Sequence, residues 1–148
     1  KDGIHALGGA FGVLASDDGK FVYVTSGRFR GDQAVSVYRV GADRTLKLAQ
    51  EFIANQSDLV DFQGGNLLTI SPDGRRLYAA GTVSCSLACF SRDPESGQLT
   101  YLSTLRDEST GLGSKLGANG VVCSPDGKFL YLALEDASAI SVFEHKTQ

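Results

Sequence analysis

Methionine and tryptophan are absent, histidine occurs twice, and cysteine and proline occur three times each. A translation product begins with methionine, so a chain that begins at Lys1 and holds none reads as a mature remnant, an excised piece or an incomplete sequence. Three cysteines allow at most one internal disulfide and leave a thiol over. Cys85 and Cys89 stand four apart, which along a strand separates their Cα atoms by about 13 Å, beyond the roughly 7 Å reach of a disulfide. No Cys-x-x-Cys occurs, and His5 and His145 lie near opposite ends, so a zinc ligand set is not provided. Neither a metal nor a cofactor is expected. No run approaches the roughly 20 apolar residues of a membrane-spanning helix, and no signal or transit peptide is recognisable. Lys and Arg number 14 against 17 for Asp and Glu, a net charge of −3 without a basic cluster. That balance argues against binding a phosphate backbone, so nucleic acid is not an expected partner. What remains is an ordinary globular composition, 42% hydrophobic and 21% charged.

A repeat organises the chain. Ser16-Asp17-Asp18-Gly19-Lys20-Phe21-Val22-Tyr23 recurs as Ser71-Pro72-Asp73-Gly74-Arg75-Arg76-Leu77-Tyr78 and as Ser124-Pro125-Asp126-Gly127-Lys128-Phe129-Leu130-Tyr131, at spacings of 55 and 53 residues. Upstream of each anchor serine stand Gly9-Ala10, Gly64-Gly65 and Gly117-Ala118, followed by short apolar runs. Downstream come Val35-Ser36-Val37-Tyr38, Leu87-Ala88-Cys89-Phe90 and Ile140-Ser141-Val142-Phe143. Two copies continue into a fourth segment at Thr45-Leu46-Lys47-Leu48 and Gln98-Leu99-Thr100-Tyr101-Leu102, and the third stops before one.

Each unit reads as four strands joined by turns. Pro presets φ in the anchor turn, Asp bonds the local backbone, and Gly accepts positive φ. Helix content should be low, because no segment sustains a 3.6-residue period with caps. The first strand of each unit is apolar on both faces and reads as an innermost strand, whereas the third alternates and reads as an outer strand with one wet face. The expected fold is therefore all-β, a β-propeller of four-stranded antiparallel blades with about three blades in this chain. Approximate blade limits are 5–53, 60–106 and 113–148, the last incomplete.

The three anchors, the Ala34-Val35-Ser36-Val37-Tyr38 segment and Phe90-Ser91-Arg92-Asp93-Pro94-Glu95-Ser96-Gly97-Gln98-Leu99-Thr100 resemble the bacterial lactonase-like β-propellers. These are related to 6-phosphogluconolactonases and to repeats named for a Tyr-Val-Thr-Asn motif, to which Tyr23-Val24-Thr25-Ser26 is close. Three blades leave an open arc with two uncovered ends. Either the chain is a portion, about half, of a six- or seven-bladed ring, or two identical chains close a homodimeric ring. Lys1-Asp2-Gly3-Ile4 is a short candidate for a closing strand.

Function in a propeller concentrates at one end of the channel. Candidate binding residues there are His5, Asp61, Asn66 and Asn119 ahead of first strands, with Arg28, Arg30 and Asp32 between second and third strands. Glu135, Asp136, Asp58, Gln63 and Lys115 share that end. His5 is the natural general base by its ordinary pKa, with a solvated surface role as the alternative. Arg28-Phe29-Arg30-Gly31-Asp32 suits a carboxylate, a phosphate or a protein partner, or is simply a solvated, lengthened loop. Asp58 and Asp61 lack the ligand array of a calcium loop. Asn66 and Asn119 stand in equivalent places and read as local backbone-bonding residues that could also point into the channel. Cys89 and Cys123 read as small core residues, and Cys85 as the exposed thiol. No Gly-x-Ser-x-Gly elbow is present. No catalytic residue can be assigned.

The resemblance implies hydrolysis of a sugar lactone over the central channel. The scarcity of catalytic groups favours instead a binding or scaffold module for a protein or glycan partner, with the lactonase as the alternative. A periplasmic or secreted location is slightly favoured.

Overall fold

The tetrad turns, repeated three times, set the architecture. The computed structural model describes residues 6–27, 31–106, 117–135 and 137–144, and among these it contains strands and no helix. In the first anchor the Ser16 hydroxyl donates to Asp18 Oδ1 at 2.6 Å and accepts the Phe21 amide at 3.0 Å, while the Lys20 amide donates to Asp18 at 3.1 Å. The same three bonds recur on Ser71 and Asp73 and on Ser124 and Asp126. Gly19, Gly74 and Gly127 close the turns at φ of 68° to 71°, which glycine alone adopts without cost. Asp17 in place of proline leaves the first turn unchanged.

Each turn joins the first two strands of a meander. Blade 1 runs β1 (Ala10–Ala15), β2 (Phe21–Ser26), β3 (Ala34–Val40) and β4 (Leu46–Ile53), paired in that order. Blade 2 repeats this with β5 (Gly65–Ile70), β6 (Arg76–Gly81), β7 (Ser86–Arg92) and β8 (Leu99–Arg106). Blade 3 has β9 (Ala118–Cys123), β10 (Phe129–Leu134) and β11 (Ala139–Glu144). All ladder pairs are antiparallel. The proposed closing strand at Lys1–Ile4 lies outside the described residues.

Blades stack face to face. Phe21, Tyr23, Val35, Val37 and Phe52 of blade 1 meet Leu77, Ala79, Ala88, Phe90 and Leu99 of blade 2, with the Phe52 and Phe90 rings 5.1 Å apart. Tyr78, Ala80, Leu87 and Cys89 meet Leu130, Leu132 and Leu134 of blade 3 in a second core. Each large side chain so buried contributes about 1.5–3 kcal/mol. Cys89 is core as expected, and burial pushes its thiol up to about 11. Cys85 is half-buried rather than openly exposed, with its thiol toward the Thr82 carbonyl.

The expected wet face of the third strands is found on β11, where Ile140, Val142 and Glu144 are exposed, and not on β3 or β7. Residues 34–38 of β3 and 86–90 of β7 are buried on both faces. For β7 the reason is the stacking itself: blade 2 stands between blades 1 and 3, which cover both of its faces. Where no described neighbour stands, the apolar face is bare, as at Val122, Ile140 and Val142 of blade 3, exposed by 55%, 70% and 57%.

Polar side chains rivet the first two blades. The Gln50 amide donates to the Leu99 carbonyl at 2.8 Å and accepts the Leu99 amide at 2.9 Å, replacing a missing strand neighbour. Gln33, at a φ of 49°, donates to the Gly27 carbonyl and accepts the Gly64 amide at 2.6 Å.

These contacts predict a stability window bounded at both ends. The Ser16 and Ser124 hydroxyls, followed by backbone amides, hold the Asp18 and Asp126 carboxyls below their ordinary 3.8. Depressed carboxylates add stability that is complete above that value and lost as pH falls through the folded-state pKa. Burial raises Tyr23, Tyr38 and Tyr78 above 10. Their contribution is complete below 10 and lost as pH rises through the raised values. Urea midpoints should therefore be flat from about pH 5 to 9 and fall on either side. A midpoint still rising below pH 3.5 would contradict the anchor geometry.

Candidate functional site

The inner strands β1, β5 and β9 stand side by side, and each begins with the same irregularity. Between Ala10 and Gly12, between Gly65 and Leu67, and between Ala118 and Gly120 the register slips by one residue. Phe11, Asn66 and Asn119 are the extra residues. A bulge sets two residues against one and re-aims the side chain, a device common beside functional sites. All three occupy the end where the loops leading into inner strands meet those between second and third strands.

The two asparagines form a chain across the blades. Asn66 donates from Nδ2 to Asn119 Oδ1 at 3.1 Å and toward the Ala118 carbonyl at 3.5 Å, and Asn119 donates in turn to the Glu135 carboxylate. Asn66 is buried, and its Oδ1 accepts no hydrogen bond. Asn119 and Glu135 lie with Ser138 beside Ile140, at the rim of the bare face of blade 3. The local backbone role expected for Asn66 and Asn119 is thus replaced by bonds between neighbouring blades and to the end of β10.

The other candidates are dispersed. Asp32 accepts the Gly8 amide at 2.7 Å, which ties the loop before β3 to the entry of β1. Asp61 has a φ of 55°, and its carbonyl accepts the Ser86 hydroxyl at 3.0 Å. Its loop is pinned by the buried Leu59 and Phe62. His5, Arg28 and Arg30 lie outside the described residues, as do Lys115, Asp136 and His145. Among the described residues no three metal-ligating side chains converge, and no helix is long and apolar enough to cross a membrane. Phe11 stands five residues before Ser16, as Asn66 and Asn119 stand before Ser71 and Ser124.

Antiparallel meanders stacked face to face, with their first strands gathered at one edge, define consecutive blades of a β-propeller. The chain belongs to the family described as lactonase, 7-bladed β-propeller, matched over residues 3–111 and 68–148. It is 24% identical to a 6-phosphogluconolactonase of Pectobacterium carotovorum over 113 residues, 76% of this chain and 33% of that protein. Two solved structures align over 90% of the chain. One is a Bacteroides fragilis protein provisionally named a 6-phosphogluconolactonase, 28% identical with a TM-score of 0.73 and 34% of its length covered. The other is a periplasmic gluconolactonase of Pseudomonas aeruginosa, 27% identical with a TM-score of 0.72 and 35% covered. The matched part of the chain spans about one third of the length of the curated relatives.

Proposed function

We propose that this chain forms part of a lactonase-type propeller that hydrolyses a sugar lactone. The sequence alone placed a binding or scaffold role first; the family match and the gluconolactonase names among its relatives support the opposite order. The observation that carries the reading is the Asn66, Asn119 and Glu135 row at the mouth of the inner strands.

Its chemistry suits the reaction. Lactone hydrolysis needs a base to take a proton from water as its oxygen attacks the carbonyl carbon, and donors for the oxyanion and sugar hydroxyls. The ring C–O bond then breaks, and the departing oxygen takes up a proton to give the open hydroxy acid. Glu135 is exposed and tethered by an amide, which fits it for the first task, and the Asn119 amide supplies a donor beside it. A periplasmic or secreted location goes with this reading, supported by the periplasmic relative. The bare apolar face of blade 3 is read as the seat of the next blade in the same ring.

The test uses the complete propeller that carries this chain, assayed in a pH-stat with gluconolactone and 6-phosphogluconolactone. Turnover is expected, with Glu135→Gln lowering kcat about 100-fold or more. A folded protein that turns over neither lactone would return the scaffold reading to first place.

A further inference from the structure

We propose that the bare face of blade 3 seats a β-blade whose third strand ends in arginine, and that this guanidinium docks on Tyr131, Phe129 and Glu144. The inference rests on the reading of that face as the seat of the next blade and does not depend on lactone hydrolysis. Strand register carries it. In β2, Tyr23 lies opposite Val37 and Phe21 opposite Arg39; in β10, Tyr131 lies opposite Val142 and Phe129 opposite Glu144. Phe21 and Tyr23 are fully buried against blade 2, whereas Phe129 and Tyr131 are 36% and 37% exposed. The same aromatic socket is filled on blade 1 and open on blade 3.

What fills it on blade 1 is a guanidinium. Arg92, the last residue of β7, donates from Nε to the Tyr23 hydroxyl at 2.6 Å, and its Cζ stands 5.8 Å from the centre of the Phe21 ring. Gly97, five residues on, packs so closely that a Cβ there would lie 2.3 Å from the Phe21 ring. Blade 3 is better charged for the same guest. The place that Arg39 takes 5.0 Å from the Phe21 ring is held beside Phe129 by the exposed Glu144, so an arriving guanidinium meets a carboxylate instead of a second cation. The interface between blades 2 and 3 lacks both halves of the arrangement: Arg76 replaces the phenylalanine, and the sequence has His145 in the register of Arg92. A second copy of this chain does not supply the guest, because the third strand of its blade 1 ends in Val40.

The test uses the complete propeller that carries this chain. The blade after blade 3 should have arginine as the last residue of its third strand, and any other residue there overturns the proposal. A double-mutant cycle of Tyr131→Phe with that arginine changed to glutamine should show a coupling of about tenfold or more in the unfolding equilibrium constant. Glu144→Lys should lower the urea midpoint more than Glu144→Gln does. Additive effects in the cycle, or equal midpoints for the two Glu144 variants, overturn the docked guanidinium.

A further measurement separates the socket from the seat. Acetylation of Tyr131 by N-acetylimidazole, read by mass spectrometry, reports whether the face is covered. Protection at every protein concentration, together with coupling, supports the proposal. Protection without coupling overturns the arginine and leaves the next blade on the face, whereas rapid acetylation overturns both. Protection that appears only as concentration rises names a second copy as the occupant and overturns the proposal too. None of these readouts requires lactone turnover.

Discussion

Gly12→Ala is expected to cost the complete propeller about 3 kcal/mol, near the upper end for overpacking. The added methyl would lie 2.0 Å from the Asn66 carbonyl oxygen, a backbone atom that cannot swing aside as a side-chain tip does. To admit it, β1 and β5 must separate at the point where the bulged residues are aligned. Gly19→Ala is the comparison: nothing lies within 4 Å of that Cβ, and only the φ of 68° is strained. Its cost should be about 1 kcal/mol. Urea denaturation of both variants measures the difference, and equal midpoints would mean that the blades do not meet as closely as described. If the row of bulges is functional, Gly12→Ala should also lose lactone turnover at temperatures where it is still folded.

Arg92→Ala is expected to cost a similar amount, about 3 kcal/mol, through lost charge-assisted hydrogen bonds. Arg92 is a buried guanidinium of blade 2 whose Nε donates to the Tyr23 phenol of blade 1 at 2.6 Å and whose Nη1 donates to the Gly74 carbonyl at 2.8 Å. The Tyr23 hydroxyl donates a hydrogen bond to the Gly97 carbonyl at 3.1 Å, and the guanidinium also lies over the Phe21 and Tyr23 rings. Truncation leaves a buried phenol oxygen and a carbonyl without donors. Tyr23 reports the change: burial already raises its pKa and Arg92 opposes the rise, so the variant should titrate higher still. A double-mutant cycle with Tyr23→Phe isolates the pair, and a coupling near zero would show that the latch between blades lies elsewhere.

The local parts of this fold were legible in the chain. The anchors Ser16, Ser71 and Ser124 predicted three equivalent turns, and the turns carry the same hydrogen bonds because all partners lie within five residues of the serine. The end of the propeller that bears Asn66, Asn119 and Glu135 was also predicted, since strand order decides which loops share an end. Less legible was what those side chains do there. Asn66 was read as a local backbone partner, but its partner, Asn119, is 53 residues away.

From sequence alone came the strand order and the meander within each blade, because turn chemistry and alternation act over a few residues. Tertiary structure alone decided which faces are dry, as in β7, where a strand read as half-wet packs Ala88 toward blade 1 and Cys89 toward blade 3. It alone paired Arg92 with Tyr23 and Gln50 with Leu99, residues 69 and 49 apart. The physical reason is common to all three: a side chain's burial and partners depend on what packs across the gap, and nothing near it in the chain encodes the neighbouring blade.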